Sequence, residues 1–357
     1  MIDLVIAGGG PAGLATALHA ARRGLHAVVF ERQGDAPDKA CGEGLMPEGL
    51  REIEALGVLA WLGQDERAPF HGIRYLQEGL VLEARFRGGS GLGIRRTALS
   101  RALRKAALAA GAELRRGTVT AVRSEGDRAL LETSEGPLEA RLAVAADGLH
   151  SPLRRAAGLA GPAQGPARFG LRRHFSLRPW ADLVEVYWTA GAEAYVTPVG
   201  PATVNLAFLW ERGAADSDFS ALLARFPALR DRVGDAPSES ETRGAGPLYQ
   251  PVRAVASGRL ALVGDAAGYV DAITGQGLSL AFTSAALLVG ALPPGLAADL
   301  RPALLAYQSA LRARFRRYAL PARALLALSR KPRLRALALR AVARLPGAFP
   351  ALVHAVG

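Results

Sequence analysis

Six residues near the start, Gly8-Gly9-Gly10-Pro11-Ala12-Gly13, have the types and spacing to hold a pyrophosphate. They fit the pattern G-x-G-x-x-G. Gly8 permits a tight turn, Gly10 lets a pyrophosphate approach the backbone, and Gly13 lets a helix pack close to the strand before it. Pro11 and Ala12 lie at the opening of that helix, where free N–H groups and the positive end of the helix dipole favour anionic oxygens. Glu31 ends the next apolar run. A carboxylate there can accept hydrogen bonds from both ribose hydroxyls of an adenosine, which selects FAD or NAD over NADP. Arg32, beside it, is a further cofactor-binding candidate.

The elements that must position these residues follow one another directly. Ile2 to Ala7 reads as a buried parallel strand. Leu14, Ala17, Leu18 and Ala21 share one helical face, with Gly24 as the stop. His26 to Phe30 is a second strand. Strand, turn, helix, strand and acid thus occur in order within the first 31 residues, which carries far more weight than an isolated glycine motif.

Gly34-Asp35-Ala36-Pro37 is loop-like, and a glycine-rich loop, Lys39 to Pro47, contains Cys41, Gly42, Glu43 and Gly44. A helix from Glu48 to Leu56 follows. Short strands are expected at 71–76 and 80–87, broken by Gly88-Gly89-Ser90-Gly91. Arg96 would point at the start of a helix, Ala98 to Ala110, with Thr97 as its N-cap. Glu113 to Val122, Arg128 to Thr133 and Leu138 to Leu142 read as an antiparallel meander. A buried strand from Leu142 then ends on Asp147-Gly148, and Ser151-Pro152 opens a short helix. Gly161-Pro162 and Gly165-Pro166 mark a boundary. Strand-like runs at 168–175, 183–188, 194–198 and 203–210 hold most of the aromatics and predict an antiparallel sheet, one face of which could line an apolar pocket. Phe219 to Phe226 reads as one helix. A last buried strand ends on Gly264-Asp265, and Gly275-Gln276-Gly277 opens a helix from Leu278 to Leu288.

Composition narrows the function further. The chain has 357 residues and a net charge of +12, and all of that charge sits in one place. From Arg301 onward there are 12 basic residues and no acidic one, leaving 32 of each sign before it. Cys41 is the single cysteine, which rules out an intrachain disulfide and fits a reducing cytoplasm. The histidines show no metal-ligand spacing, so no metal is expected. No window approaches the roughly 18 apolar residues of a membrane span, and the opening Met1-Ile2-Asp3-Leu4 has no signal-peptide pattern.

Three motifs stand in one order: G-x-G-x-x-G at 8–13, D-G-x-x-S-x-x-R at 147–154, and Gly264-Asp265-Ala266-Ala267 followed by Gly275-Gln276-Gly277. Over residues 1–290 the set resembles the para-hydroxybenzoate hydroxylase superfamily of FAD enzymes, which contains class A flavoprotein monooxygenases and geranylgeranyl reductases. The resemblance implies that Asp147 and Gly148 lie beside the pyrophosphate and that Asp265 accepts from a ribityl hydroxyl. It also implies that the helix starting after Gly277, at Leu278, faces the flavin pyrimidine and stabilises negative charge there. It places Arg96 at the phosphates, Val119 beside the adenine, and the loop Cys41-Gly42-Glu43-Gly44 along the ribityl chain and flavin. Many class A hydroxylases carry His and Pro where this chain has Gly268 and Ala272. Gly264 to Asp271 and Cys41 to Leu45 look like the reductase branch, whereas Gly275-Gln276-Gly277 is hydroxylase-like.

The expected architecture is α/β: a Rossmann-like FAD-binding domain (1–70, 91–165 and 255–290) with an inserted antiparallel β-sheet substrate domain (71–90 and 166–254) and a basic helical C-terminal segment (291–357). The expected chemistry is FAD-dependent oxidation or reduction of an apolar small molecule. NAD(P)H-dependent monooxygenation comes first, and reduction or dehydrogenation of a C=C bond is the alternative. A third reading is a flavin-binding protein without turnover. No second glycine-rich β-α-β unit is visible, so NADPH or NADH would bind transiently. Asp271 and Glu43, on loops expected near the flavin, are the candidate acid or base residues. The tail reads as a basic face over a helical cap, with an anionic membrane surface as the alternative partner. It lacks the aromatic set of a nucleic-acid binder, so no nucleic acid is expected.

Overall fold

The structure is a computed structural model that describes residues 1–356 except 35, 163–165, 214–217, 297–298 and 346. Asp35 of the expected loop and Gly165 of the expected boundary lie outside the described residues.

Ile2–Ala7 forms the centre of a mainly parallel sheet. It pairs in parallel with Ala27–Glu31 on one side and Gly136–Ala145 on the other. Glu113–Arg116 extends the first flank and Leu260–Leu262 the second, also in parallel. Ile2–Ala7, Ala27–Glu31, Leu260–Leu262 and the second half of Gly136–Ala145 are largely apolar and buried, as a parallel sheet covered by helices requires, while the edge strand Glu113–Arg116 is polar and only partly buried. Helices α1 (Pro11–Arg22) and α2 (Pro47–Ala55) follow, then α3 (Arg96–Ala109) and α4 (Pro152–Ala156). Leu14, Leu18, Leu99 and Leu103 close a single core with the sheet.

Two expectations at this sheet are corrected. Glu113 to Val122 is two strands, because Gly117 donates to the Glu31 carbonyl at 3.0 Å and the chain changes partners there. Glu113–Arg116 therefore belongs to the parallel sheet, and only Val119–Glu125 joins the meander. Conversely, Leu138 to Ala145 is one strand. Its first half pairs antiparallel with Arg128–Thr133 and its second half parallel with Ile2–Ala7.

The second sheet has seven strands, in the order 243–245, 168–176, 203–211, 192–200, 184–189, 72–77 and 80–85. It is antiparallel except where 184–189 meets 72–77. One face packs under α5 (Phe219–Ala224) and α6 (Pro227–Val233) through Phe175, Tyr187, Phe208, Phe219 and Phe226. The expected helix over 219–226 is α5, ending at Ala224; Pro227 holds Phe226 out of helical geometry and starts α6, a second helix that was not expected.

Helix α7 (Gly277–Ala291) returns to the parallel sheet. The tail forms α8 (Arg301–Ser329), α9 (Pro332–Ala343) and α10 (Ala348–Val356). Leu304, Tyr307 and Leu311 of α8 enter the main core. Its second half, with Tyr318, Ala322 and Leu326, packs on Val270 and Ile273. Leu339 of α9 and Phe349 and Val353 of α10 reach Leu82 and Ala84 of the antiparallel sheet. The tail thus bridges both sheets and is more than a cap on the first. Buried Arg335 fixes α9: it donates to Gln77 Oε1 at 2.6 Å and to the carbonyls of Ser329 and Thr189, and lies over the Trp188 ring. No helix of the described residues is long and apolar enough to cross a membrane.

Two contacts tie the antiparallel sheet to the rest. A Cβ on Gly93, in a small three-stranded sheet of Gly44–Leu45, Arg67–Phe70 and Gly91–Ile94, would fall 1.6 Å from the Pro198 carbonyl oxygen. Arg168, buried, ion-pairs with Glu193 at 3.0 Å and with Asp271 at 2.9 Å, which joins the antiparallel sheet to the loop before α7. Gly93→Ala is expected to cost at least about 2 kcal/mol in urea unfolding; an unchanged midpoint would mean the contact relaxes freely. Burial raises the Asp271 carboxyl to about 6, against the opposing pull of Arg168. An acid held above its unfolded value of 3.8 contributes stability while protonated and loses it as pH rises through the folded value. Stability relative to Asp271→Asn is therefore expected to fall between about pH 4 and 6, by up to about 3 kcal/mol, in thermal melts across pH. A flat difference over that window would contradict it.

Candidate active site

One large cavity, about 1000 Å³, runs between the two sheets. The nucleotide-type turns meet at one end. Gly8 and Gly13 do not line it. Instead they set the turn: a Cβ on Gly8 would lie 2.4 Å from the Ala146 carbonyl oxygen, and one on Gly13 would lie 1.9 Å from that of Gly8. Gly10, Pro11 and Ala12 do line the cavity. No side chain caps α1 at Gly10, so its first N–H groups face that space without a side-chain partner.

Asp147 and Gly148 line the cavity from the second motif. Asp147 Oδ2 accepts from Leu153 N at 3.2 Å, while its Oδ1 is buried with no partner. Burial raises the Asp147 carboxyl above the usual range. Ser151 caps α4 as expected, accepting from Arg154 N at 2.9 Å. Arg154 explains the last residue of that motif: it donates to the carbonyls of Asp265 and Ala266 at 3.1 Å and to that of Leu149 at 2.8 Å, so it joins the second motif to the third.

Asp265 lines the cavity, with its carboxyl raised by burial. Gly264 sits behind it, backed onto Ala12. Gly275, Gln276, Gly277 and Leu278 form the opposite wall, and α7 also starts without a side-chain cap.

Arg96 and Arg32 line the same end. Arg96 is buried, which lowers its pKa, and a Cβ on Gly10 would lie 3.6 Å from its Nη2. Here the expected N-cap is corrected. Helix α3 starts at Arg96, so Thr97 lies inside it, and no local side chain caps it. The Glu43 carboxylate does so from a distant loop, accepting from Arg96 N at 2.7 Å.

Glu43 lines the cavity together with Cys41, Gly42 and Gly44. It is 2% exposed and holds a left-handed φ of 60°, a conformation that costs energy in a residue with a Cβ. Its other oxygen meets His174 Nε2 at 2.5 Å, and His174 Nδ1 meets Ser240 Oγ at 2.9 Å. Asn205 donates to the Cys41 carbonyl at 2.9 Å, and Arg172 ion-pairs with Asp38. The antiparallel sheet therefore pins this loop. Burial pushes the Cys41 thiol up to about 11, so it stays protonated.

Three further candidates lie off the cavity. Glu31 has both oxygens on backbone N–H groups, from Gly9 at 2.7 Å and Gln33 at 2.8 Å. Each oxygen retains a lone pair for a ribose hydroxyl. Val119 starts the meander strand, half-buried. Asp271 is buried against Arg168 and Tyr318. His174, Arg172, Lys39, Asn205 and Tyr195 belong to the site region and were not found from sequence. His174 stands 131 residues from Glu43, and no spacing rule links two residues that meet only across a domain contact.

Together, two uncapped helix starts, a buried unpartnered carboxylate oxygen, the buried Arg96 cation and the glycine-lined turns fit an elongated, phosphate-bearing dinucleotide. Among the described residues no group of three His, Cys, Asp or Glu could hold a metal.

A family model described as an FAD binding domain matches residues 1–320. A menaquinone reductase of Mycobacterium tuberculosis is 30% identical over 326 residues, covering 85% of this chain and 79% of that protein. A digeranylgeranylglycerophospholipid reductase of Methanopyrus kandleri is 30% identical over 304 residues, covering 78% and 77%. Among solved structures, one described as a probable FAD-dependent monooxygenase from Pseudomonas aeruginosa superposes with a TM-score of 0.77 at 24% identity, over 94% of this chain and 98% of that one. The protein whose two uncapped helices and glycine turns meet at this cavity belongs to the FAD binding domain family, and is an FAD-dependent oxidoreductase of the para-hydroxybenzoate hydroxylase superfamily.

Proposed function

We propose that the chain is a flavin-dependent reductase that saturates a C=C bond of a long, lipid-like substrate such as an isoprenoid chain. The observation that carries this is the far half of the cavity. Beyond the nucleotide end it continues past Ile73, Val186 and Leu209 to Leu325, Leu328 and Leu339, and on to Phe349 and Val353 in the tail. An extended hydrocarbon could bury its surface along this whole apolar lining, whereas a single aromatic ring could touch only part of it. By their names, two of the relatives are reductases of menaquinone and of digeranylgeranylglycerophospholipid. The reductase relatives and the apolar lining are what favour this reading, which the sequence placed second.

Bound FAD supplies the two-electron chemistry. The chain's own residues bind and orient it. Gly10 to Ala12 and the start of α1 would hold the pyrophosphate, with Arg96 countering its charge. Glu31 and Arg32 would hold the adenosine end, and Asp147, Gly148, Gly264 and Asp265 would frame the middle. The start of α7 at Gly277 and Leu278 would stabilise negative charge on the ring. Saturating a C=C bond also needs a proton. Glu43 is the group we assign to hold it, since it faces the cavity and is hydrogen-bonded to His174. The electrons come from NADPH, NADH or a protein reductant.

A monooxygenase is the second reading, favoured by Gly275-Gln276-Gly277 at the start of α7. Anaerobic reduction followed by product analysis separates the two. If the flavin spectrum bleaches with NADPH, NADH or dithionite and the product gains two hydrogen atoms without oxygen, the protein is a reductase. If the product forms only in air and carries an oxygen atom from O2, it is a monooxygenase. No flavin spectrum after incubation with FAD would overturn both.

Two variants test the residue assignments. Arg96→Met is expected to weaken FAD binding at least about tenfold, or about 1.4 kcal/mol, by fluorescence titration; unchanged affinity would remove Arg96 from the cofactor contacts. Glu43→Gln keeps the oxygen that caps α3. It is expected to retain the flavin spectrum and slow turnover by about 10²-fold or more, and full activity would end the proton assignment.

A further inference from the structure

Helix α9 has two unlike faces. Arg335 and Leu339 turn inward and are buried. Leu334, Leu337 and Ala341 turn outward at helical spacing, and Leu345 continues the stripe just past the helix end. Leu334 is 49% exposed, Leu337 65% and Leu345 62%, and on the adjoining α10 Leu352 is 54% exposed. Single exposed leucines are ordinary. Four along two adjoining helices and the turn between them call for a partner.

Charge says which partner. Arg333, Arg340 and Arg344 flank the leucine stripe, exposed and without an acidic partner among the described residues. The whole segment from Arg301 carries 12 basic residues and no acidic one. A second copy of this chain would set that basic rim against itself across a symmetric contact. An anionic lipid surface satisfies both features, taking leucines at the acyl boundary and arginines at the phosphates.

The same helices wall the cavity. Leu339 and Val342 of α9 and Phe349 and Val353 of α10 line it from inside, and Leu352 both lines it and reaches solvent. We propose that α9 and α10 dock on an anionic membrane surface and that the cavity opens toward that surface at Leu352. What enters there rests on the reading of a lipid-like substrate given above; the docking itself does not.

The test uses the full FAD-loaded chain with sedimented vesicles. It is expected to bind phosphatidylglycerol-containing vesicles, to release them as salt rises, and to ignore pure phosphatidylcholine. The double variant Leu334→Ser/Leu337→Ser replaces no residue that lines the cavity. It is expected to lose about tenfold or more of the binding while keeping the flavin spectrum and turnover of a detergent-dispersed substrate. Wild type that stays in solution with both vesicles overturns the proposal. So does a double variant that binds as tightly as wild type, and so does a wild-type dimer that the double variant converts to monomer, which would assign the patch to a second copy. Vesicle binding without any turnover supports the docking and sinks the functional reading alone.

Discussion

The close approach of backbone to backbone at Gly8 and Gly13 is the constraint on which the rest depends. A Cβ at Gly8 would collide with the Ala146 carbonyl and one at Gly13 with that of Gly8. The first strand, the first helix and the end of the strand at Ala145 are thereby drawn to one point. Arg154 extends the same junction, since its guanidinium reaches the carbonyls of Asp265 and Ala266 from the second motif. Three strand ends from three distant parts of the chain therefore deliver their turns to one end of one cavity. A side chain at either glycine would push them apart, and no local adjustment could restore all three.

Buried polar and charged side chains do the second part of the assembly. Glu43 sits in a strained backbone conformation, and its two carboxylate oxygens are satisfied by groups from two different regions, Arg96 N and His174. Arg168 likewise holds Glu193 and Asp271 together. A buried charge left alone would cost several kcal/mol, so each pairing is specific about which elements must meet. The result is that the loop carrying Cys41, Gly42 and Gly44 is shaped by the antiparallel sheet, although it belongs in sequence to the nucleotide-binding unit. The shape of that loop is coupled to the sheet that lines the far part of the cavity.

The tail gives the cavity its length. Its arginines and leucines are divided by face: Arg335 is drawn inside by Gln77, two carbonyls and the Trp188 ring, while its neighbours Arg333 and Arg340 remain exposed. Leu339 lines the interior and Leu337 faces out. One amphipathic segment thus serves as the inner wall of an apolar chamber and as an outward apolar, basic surface.

The sequence alone determined the parts whose cause is local. The glycine turn, the buried strands, the Ser151 cap and the three-motif order follow from residue type and short spacing, and with them the α/β class and the FAD family. It also placed a basic helical tail at the end, because charge imbalance is visible without coordinates. It divided Leu138 to Ala145 and joined Glu113 to Val122 wrongly, since strand limits depend on which neighbour a strand finds. It chose Thr97 as a cap because local capping is the common solution, and the tertiary structure supplied Glu43 in its place. Only the fold decided that Glu43 faces His174, that Asp271 spends its charge on Arg168, and that the tail closes the cavity. These are contacts between residues separated by more than a hundred positions or by a whole domain, and no period or motif in a single chain encodes them.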